Sequence, residues 1–366
     1  MDHRGRREYT DRIRLGDRAL PVVSPARFYV CGITPYDVTH LGHASTFVWA
    51  DAAAAVLRLA GAETVTCRNV TDVDDVLTRA AVQRGRHFDE FALEQEYLFG
   101  RDMTALGVRR PEHEPRARHH VGRVVQLAAA LLATNRAYQR DGAVYFRGAD
   151  VPAKVGLSPD RAAELAAEFD DPFDVPVWRP SADDQPGWPS PWGRGRPGWH
   201  AECAAIALGV LGPAVDILAG GADLTFPHHA YQTAMVEAAT GVAPFARTEF
   251  PVGTVTVGGA KMAKSAGNLV LVGDLLTHHP AAAVRLLLLN RRWHQTWNFR
   301  ADDIDAEAAH LDRLYSAAGT ARTSTAASDA VVAALCNDLD VPAALAIGEE
   351  SGGAAARLVL RTLALE

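Results

Sequence analysis

Four basic side chains in two short windows offer the chemistry most easily read from this chain. His40-Leu41-Gly42-His43 sets two imidazoles around a glycine, and Lys261-Met262-Ala263-Lys264-Ser265 puts two ammonium groups in one loop. Of 37 basic residues 34 are arginine, and the third lysine is Lys154. A bias that turned nearly every lysine into arginine spared Lys261 and Lys264. That points to work for a compact ammonium on a flexible stem. Gly258, Gly259 and Gly267 flank the window, so the loop suits closure over the phosphates of a nucleotide. The histidine pair falls where a strand hands over to a helix, and a helix N-terminus offers N–H groups and a positive dipole to phosphate. Gly42, lacking a side chain, would let a flat base approach the backbone. A solvated turn and two surface histidines are the alternatives for each window taken alone.

A second set is Cys31, Cys203 and His228, in Tyr-Val-Cys-Gly, Gly-Trp-His-Ala-Glu-Cys and Phe-Pro-His-His. Two thiolates and an imidazole are good zinc ligands, and an open fourth position would take a substrate thiolate in preference to a hydroxyl. Spacing alone favours buried free cysteines instead, and His229 competes with His228 as the third donor.

The elements that must position these groups follow from periodicity. Residues 27–31 read as a buried strand, 32–43 as a loop, 44–60 as a helix ended by Gly61, and 64–69 as a second strand. That is a βαβ unit, the opening of a parallel α/β sheet. Residues 87–106 and 119–134 are helical, 137–147 a hairpin turned on Asp141-Gly142, 158–168 a short helix, and 170–197 an irregular loop rich in Pro, Asp, Trp and Gly. Helix 199–211, strand 215–218, a helix near 228–239 and strand material over 249–257 lead to the lysine loop. Helices over 280–292 and 302–317 precede an alanine-rich helical end. The expected fold is α/β, with an α+β insertion and a helical C-terminal domain. The expected boundaries are 1–106 and 198–257 for the two halves of the nucleotide-binding sheet, 107–197 for the insertion, 258–300 for the lysine loop and stem, and 301–366 for the helical end.

Composition sets limits on partners. At 366 residues and 48% hydrophobic, the chain has ample core. No apolar run is long enough to span a bilayer, the charged residues 1–17 do not read as a signal peptide, and four scattered cysteines suggest no disulfide framework. A reducing cytoplasm and a monomer are expected. The net charge of −7 is carried by residues 301–366, where four Arg face eleven Asp plus Glu. So acidic an end would repel a phosphate backbone.

His-x-Gly-His after the first strand with Lys-Met-x-Lys-Ser after the last is the signature pair of class I aminoacyl-tRNA synthetases. Around it stand Cys31-Gly-Ile-Thr34-Pro-Tyr-Asp-Val-Thr39, Asn69-Val-Thr71-Asp72-Val-Asp74-Asp75, Gly193-Arg-Gly-Arg-Pro-Gly-Trp199-His200-Ala-Glu-Cys203 and Gly220-Gly221-Ala-Asp223-Leu-Thr-Phe-Pro-His228-His229. These segments, spread over about 28–300, resemble the cysteinyl-tRNA synthetase superfamily, and most of all its mycothiol-pathway branch of ligases that join cysteine to an amino sugar. The resemblance implies a Rossmann-like sheet of the class I type and cysteinyl-AMP formation from cysteine and ATP with Mg2+. One zinc would sit on Cys31, Cys203 and His228. His40, His43, Lys261 and Lys264 would act on the phosphates, where charge on the departing pyrophosphate rewards fixed donors and ammonium groups. Thr34, Thr71 and Trp199 would line the adenylate pocket and Gly221 and Asp223 would touch adenosine. Gly32, Gly42, Thr46, Asp72, Val255 and Ser265 would complete the substrate site. The synthetases' fourth zinc ligand, a glutamate, is replaced by Gln232, as a three-ligand site requires. The expected activity is transfer of cysteine to a small amine as an amide, with no identifiable base for the amine. The alternatives are charging of tRNA and a paralogue using another amino acid or amine.

Overall fold

A computed structural model describes residues 13–16, 18–36, 39–158, 173–183, 185–263 and 266–366. The centre is a four-stranded parallel sheet. Its strands are β1 (Ala26–Ile33), β2 (Thr64–Val70), β3 (Val215–Gly221) and β4 (Ala246–Val252), in the order β4-β3-β1-β2. Helix α1 (Leu41–Leu59) connects β1 to β2. The strand order reverses at β1: the chain first adds β2 on one side of it, then returns to add β3 and β4 on the other. In open parallel sheets such a switch point leaves a crevice at the carboxyl ends of the strands, where ligands bind.

The two faces of the sheet bury two separate cores. Phe28 and Val30 point into a core formed with α1 and the C-terminal helices, whereas Tyr29 and Cys31 point into one shared with helices α2 (Trp199–Leu211) and α3 (Ala230–Thr240). This is the period-2 alternation of a strand buried on both faces. It breaks after Cys31. Val30 pairs with Arg68 but Ile33 with Val70, so Cys31 and Gly32 share Asn69 as their one opposite residue. The bulge returns Ile33 to the α1 face and re-aims the chain where the site begins. Only glycine fits at 32, because a Cβ there would lie 1.6 Å from the Asn69 carbonyl oxygen.

Three local expectations are corrected. The loop expected over 32–43 is shorter, since β1 runs to Ile33 and α1 starts at Leu41. A short helix, Asp75–Gln83, was not foreseen; Asp74 caps it through a bond from the Val76 N–H. The stretch 170–197 holds two strands, Val175–Pro180 and Gly195–Pro197, which extend the hairpin Ala137–Arg140 and Ala143–Phe146 into a four-stranded antiparallel sheet. Burial of Val177 and Trp178 outweighs the proline-rich composition there. Most of the helix expected over 158–168 lies outside the described residues.

The C-terminal helices Asp302–Ala318, Thr325–Cys336, Val341–Ser351 and Gly353–Thr362 pack on the α1 side. A buried ion pair ties them down. Arg285, 1% exposed, donates to Asp51 Oδ2 of α1 at 2.5 Å, to the Leu106 carbonyl at 2.8 Å and to the Leu363 carbonyl at 2.5 Å. Asp51→Ala would leave that guanidinium buried without its counter-charge. Urea unfolding should then show a loss of about 3–5 kcal/mol, and Arg285→Met in the same background should recover part of it. No helix among the described residues is long and apolar enough to cross a membrane.

Candidate active site

A cavity of about 630 Å3 opens at the switch point, a size suited to a small-molecule site. Its wall is built from the ends of the parallel strands. Cys31, Gly32, Ile33 and Thr34 close β1, Asn69 and Thr71 close β2, Gly221 and Asp223 follow β3, and Val252 to Val255 follow β4. His40, Gly42, His43 and Thr46 enter from α1, Trp199 and Cys203 from α2, His228 from the turn before α3, and Lys261 with Met262 from the lysine loop. All but three of the sequence-predicted site residues therefore meet in one cavity. Lys264 and Ser265 lie outside the described residues. Asp72 is the third: its buried carboxylate accepts from the Arg118 N–H at 2.9 Å and from Arg118 Nε at 2.5 Å, and it does not line the wall.

At one end, Cys31, Cys203 and His228 bring their ligand atoms within 4.8 Å of one another, all three residues buried. Two thiols and an imidazole gathered this closely are the donor types that a zinc ion with one open position takes, so the set fits such an ion. Cys31 sits within β1, the strand expected over 27–31, and reaches the α2 face by strand alternation. The hydrogen bond from Cys31, and then His228, holds the Cys203 thiol well below its ordinary range, while burial pushes Cys31 up. Gln232 Oε1, 3.5 Å from Cys31 Sγ, is a second acceptor within reach of the same S–H. His229 does not join the cluster. Its ring packs against Gly220, where an added Cβ would fall 2.8 Å from it, and burial lowers its pKa to about 3. His228 is fixed from both sides, with its ring stacked 4.3 Å from Trp199 and its Nδ1 2.9 Å from His200 Nδ1. Burial keeps His200 neutral.

At the other end the histidine pair departs from expectation. The first-turn N–H groups of α1 are already taken: Leu41 N donates to the Val270 carbonyl at 2.8 Å, Gly42 N and His43 N to His40 Nδ1 at 3.1 and 3.4 Å, and Ala44 N to the His40 carbonyl at 3.1 Å. His40 is thus the N-cap of its own helix. Because Nδ1 accepts, the ring proton of neutral His40 sits on Nε2. Gly42 is needed for this cap, since a Cβ would come within 3.0 Å of the His40 ring and 3.3 Å of Met262. The His43 ring stacks on His40 at 3.7 Å. Burial, with Lys261 adding to it, lowers the His43 pKa to about 4 despite the pull of Asp223. At neutral pH His43 donates one N–H and carries no charge, so among the described residues the Lys261 ammonium is the cation of this end. Lys261 Nζ donates to Asp223 Oδ2 at 2.5 Å, joining the loop to the residue expected on adenosine.

Sequence reading gave no role to Asn69, Tyr36, Asp74 or Val76, which also line the cavity. Asn69 organises the floor: its Oδ1 accepts from Gly32 N at 2.9 Å and from Tyr29 Oη at 3.1 Å, and its Nδ2 donates to Thr71 Oγ1 at 2.9 Å. Asp74 stands just before the apolar run Val76-Leu77, a helix-start signal that would have located it.

Comparison with known proteins finds two kinds of relative. A cysteine–tRNA ligase of Rhodospirillum rubrum is 41% identical over 332 residues, covering 87% of this chain and 72% of that protein. An L-cysteine:1D-myo-inositol 2-amino-2-deoxy-alpha-D-glucopyranoside ligase of Kribbella flavida is 40% identical over 337 residues, covering 88% and 83%. Identity therefore does not separate the two kinds of relative. In fold the chain is similar to Mycobacterium tuberculosis methionyl-tRNA synthetase in complex with methionyl-adenylate, with a TM-score of 0.70 at 16% identity over 94% of this chain and 82% of that one. The family model for tRNA synthetases class I (C), catalytic domain, matches residues 22–309, and the chain belongs to that family.

Proposed function

We propose that the protein activates cysteine with ATP, forming cysteinyl-AMP and pyrophosphate, and passes the cysteinyl group to a small amine as an amide. The observation that carries this reading is a single cavity in which Cys31, Cys203 and His228 face His40, His43, Lys261 and Asp223. Zinc held by the first three would take the substrate thiolate in its open position and so select cysteine over serine. Thr34, Thr71 and Trp199 would flank the amino acid. Gly221, Asp223 and Val255 would meet adenosine, with Gly32, Gly42 and Thr46 on the walls between. His40 Nε2–H and His43 would donate to phosphate oxygens, Ser265 would add a hydroxyl, and Lys261 with Lys264 would carry the positive charge that the departing pyrophosphate needs. Magnesium would enter with ATP. The ion pair of Lys261 with Asp223 is exposed, 61% and 47% on its side chains, so it costs little to exchange for contacts with ATP.

A small amine is favoured over tRNA by Gln232 in place of an acidic ligand and by the acidic segment 301–366. Charging of tRNA is the second reading, supported by the relatives named as cysteine–tRNA ligases. We take the protein to act as a monomer in a reducing compartment, in keeping with four buried free cysteines.

Purified protein should catalyse ATP–pyrophosphate exchange that depends on cysteine and not on serine. No exchange with any proteinogenic amino acid would sink the reading. Incubation with ATP, cysteine and the amino sugar named for the Kribbella relative, read by mass for the amide, distinguishes it from tRNA charging measured in parallel.

A further inference from the structure

Tyr36, Asp74 and Val76 line the cavity, and the adenylation reading gives them no substrate. Asp74 caps, and Val76 belongs to, a helix seated on a small core. Leu77, Ala80, Ala81, Phe91 and Ala92 pack between the helices Asp75–Gln83 and Phe88–Ala105, and Tyr36 packs against them. The base of this unit is fixed to the antiparallel sheet, because Asp75 pairs with Arg179 and accepts from Arg196 Nε at 2.8 Å. Val76 is 38% exposed, so this part of the wall is open to an incoming molecule.

Only two carboxylates line the cavity among the described residues, Asp223 and Asp74. Asp223 is held by Lys261. Asp74 uses Oδ1 to accept from Val76 N at 2.6 Å, and Oδ2 is not part of that bond. An aliphatic amine reaches the enzyme mostly as its ammonium ion, which cannot attack a carbonyl. A carboxylate at the point of entry attracts that ion and can take its proton.

We propose that Asp74, with Tyr36 and Val76, forms the acceptor subsite, where the Asp74 carboxylate binds the substrate ammonium and acts as its general base. This rests on the amide-forming reading above and supplies the base that sequence did not reveal. One N–H proton passes to Asp74. The freed lone pair forms the C–N bond to the cysteinyl carbonyl carbon, the bond from that carbon to the phosphate oxygen breaks, and AMP leaves with its electron pair. The second proton released from nitrogen goes to water. Burial raises the Asp74 carboxyl above its ordinary range, Val76 N–H, Arg179 and Arg79 oppose this, and Asp75 reinforces it. Glu202, buried in α2, is the further acid that senses Asp74. A raised carboxyl is the better proton acceptor of its kind.

The test uses Asp74→Asn, which keeps the helix cap because asparagine caps as well as aspartate. Asp74→Ser, another good cap, is the second variant should the first not fold. Two rates are measured on the full chain: cysteine-dependent ATP–pyrophosphate exchange, and amide formation from pre-formed cysteinyl-AMP with two probes, the amino sugar and hydroxylamine. Amide formation with the amino sugar should fall by about 10²–10⁴-fold and recover partly as pH rises towards the pKa of the amine. Hydroxylamine, already neutral near pH 7, should react at nearly the wild-type rate, and exchange should keep its KM for cysteine. Equal losses with both probes, or no loss with the amino sugar, would overturn the proposal. A rise in the cysteine KM would place Asp74 on the α-ammonium of cysteine and overturn it too. Wild-type exchange without amide formation from either probe removes the acceptor subsite and leaves adenylation standing. Absence of exchange removes both.

Discussion

Cys203→Ala is expected to abolish metal binding and to lower cysteine-dependent pyrophosphate exchange by at least about 10²–10³-fold, the scale on which loss of one orienting group is felt. Wild-type protein purified without chelator should carry close to one zinc per chain, and the variant almost none. The reasoning is geometric. Cys203 brings its sulfur within reach of both Cys31 and His228, so its removal leaves two donors, too few for a zinc site of three protein ligands and one open position. Cys336→Ala is the control, since Cys336 is equally buried but lies in the other core. It should lose some stability and keep its zinc. A Cys203→Ala protein that exchanges pyrophosphate at the wild-type rate would separate the cluster from cysteine chemistry.

Lys261→Ala should lower kcat for exchange by about 10²–10³-fold, as removal of a transition-state donor does, with the KM for cysteine within about threefold. His43 is held neutral by burial and its partner His40 spends Nδ1 on its own helix, so neither replaces the lost charge. Lys261→Arg should restore little, because a planar guanidinium presents its charge differently from an ammonium. This variant tests the inference from composition directly. If arginine serves as well as lysine, the survival of Lys261 in an arginine-rich chain has another cause.

Much of the fold was legible because it is local. The βαβ opening, the helix Trp199–Leu211 and the hairpin on Asp141-Gly142 follow from periodicity, glycine caps and turn chemistry, and the structure has them at nearly the expected residues. The strands at 175–180 and 195–197 were hidden because their pairing partners are distant and their composition is that of a loop. Asp72 misled for a related reason. Its place in a family-like segment suggested substrate contact, but Arg118, 46 residues on, claims its carboxylate.

The sequence by itself determined which chemical groups this protein has to offer: two histidines at a helix start, lysines spared in an arginine-rich chain, and thiols and imidazoles of the right kind for zinc. Only the tertiary structure decided which of them meet. Spacing favoured Cys31 and Cys203 as unrelated buried thiols and left His228 and His229 interchangeable. The parallel sheet brings Cys31, Cys203 and His228 to one end of a cavity, because strand order reverses at β1 and strand alternation turns Cys31 to the α2 face. The same packing turns His229 onto Gly220 and the first N–H groups of α1 onto His40. Register and strand order are long-range properties, set by burial on both faces of the sheet at once, and no short window of sequence contains them.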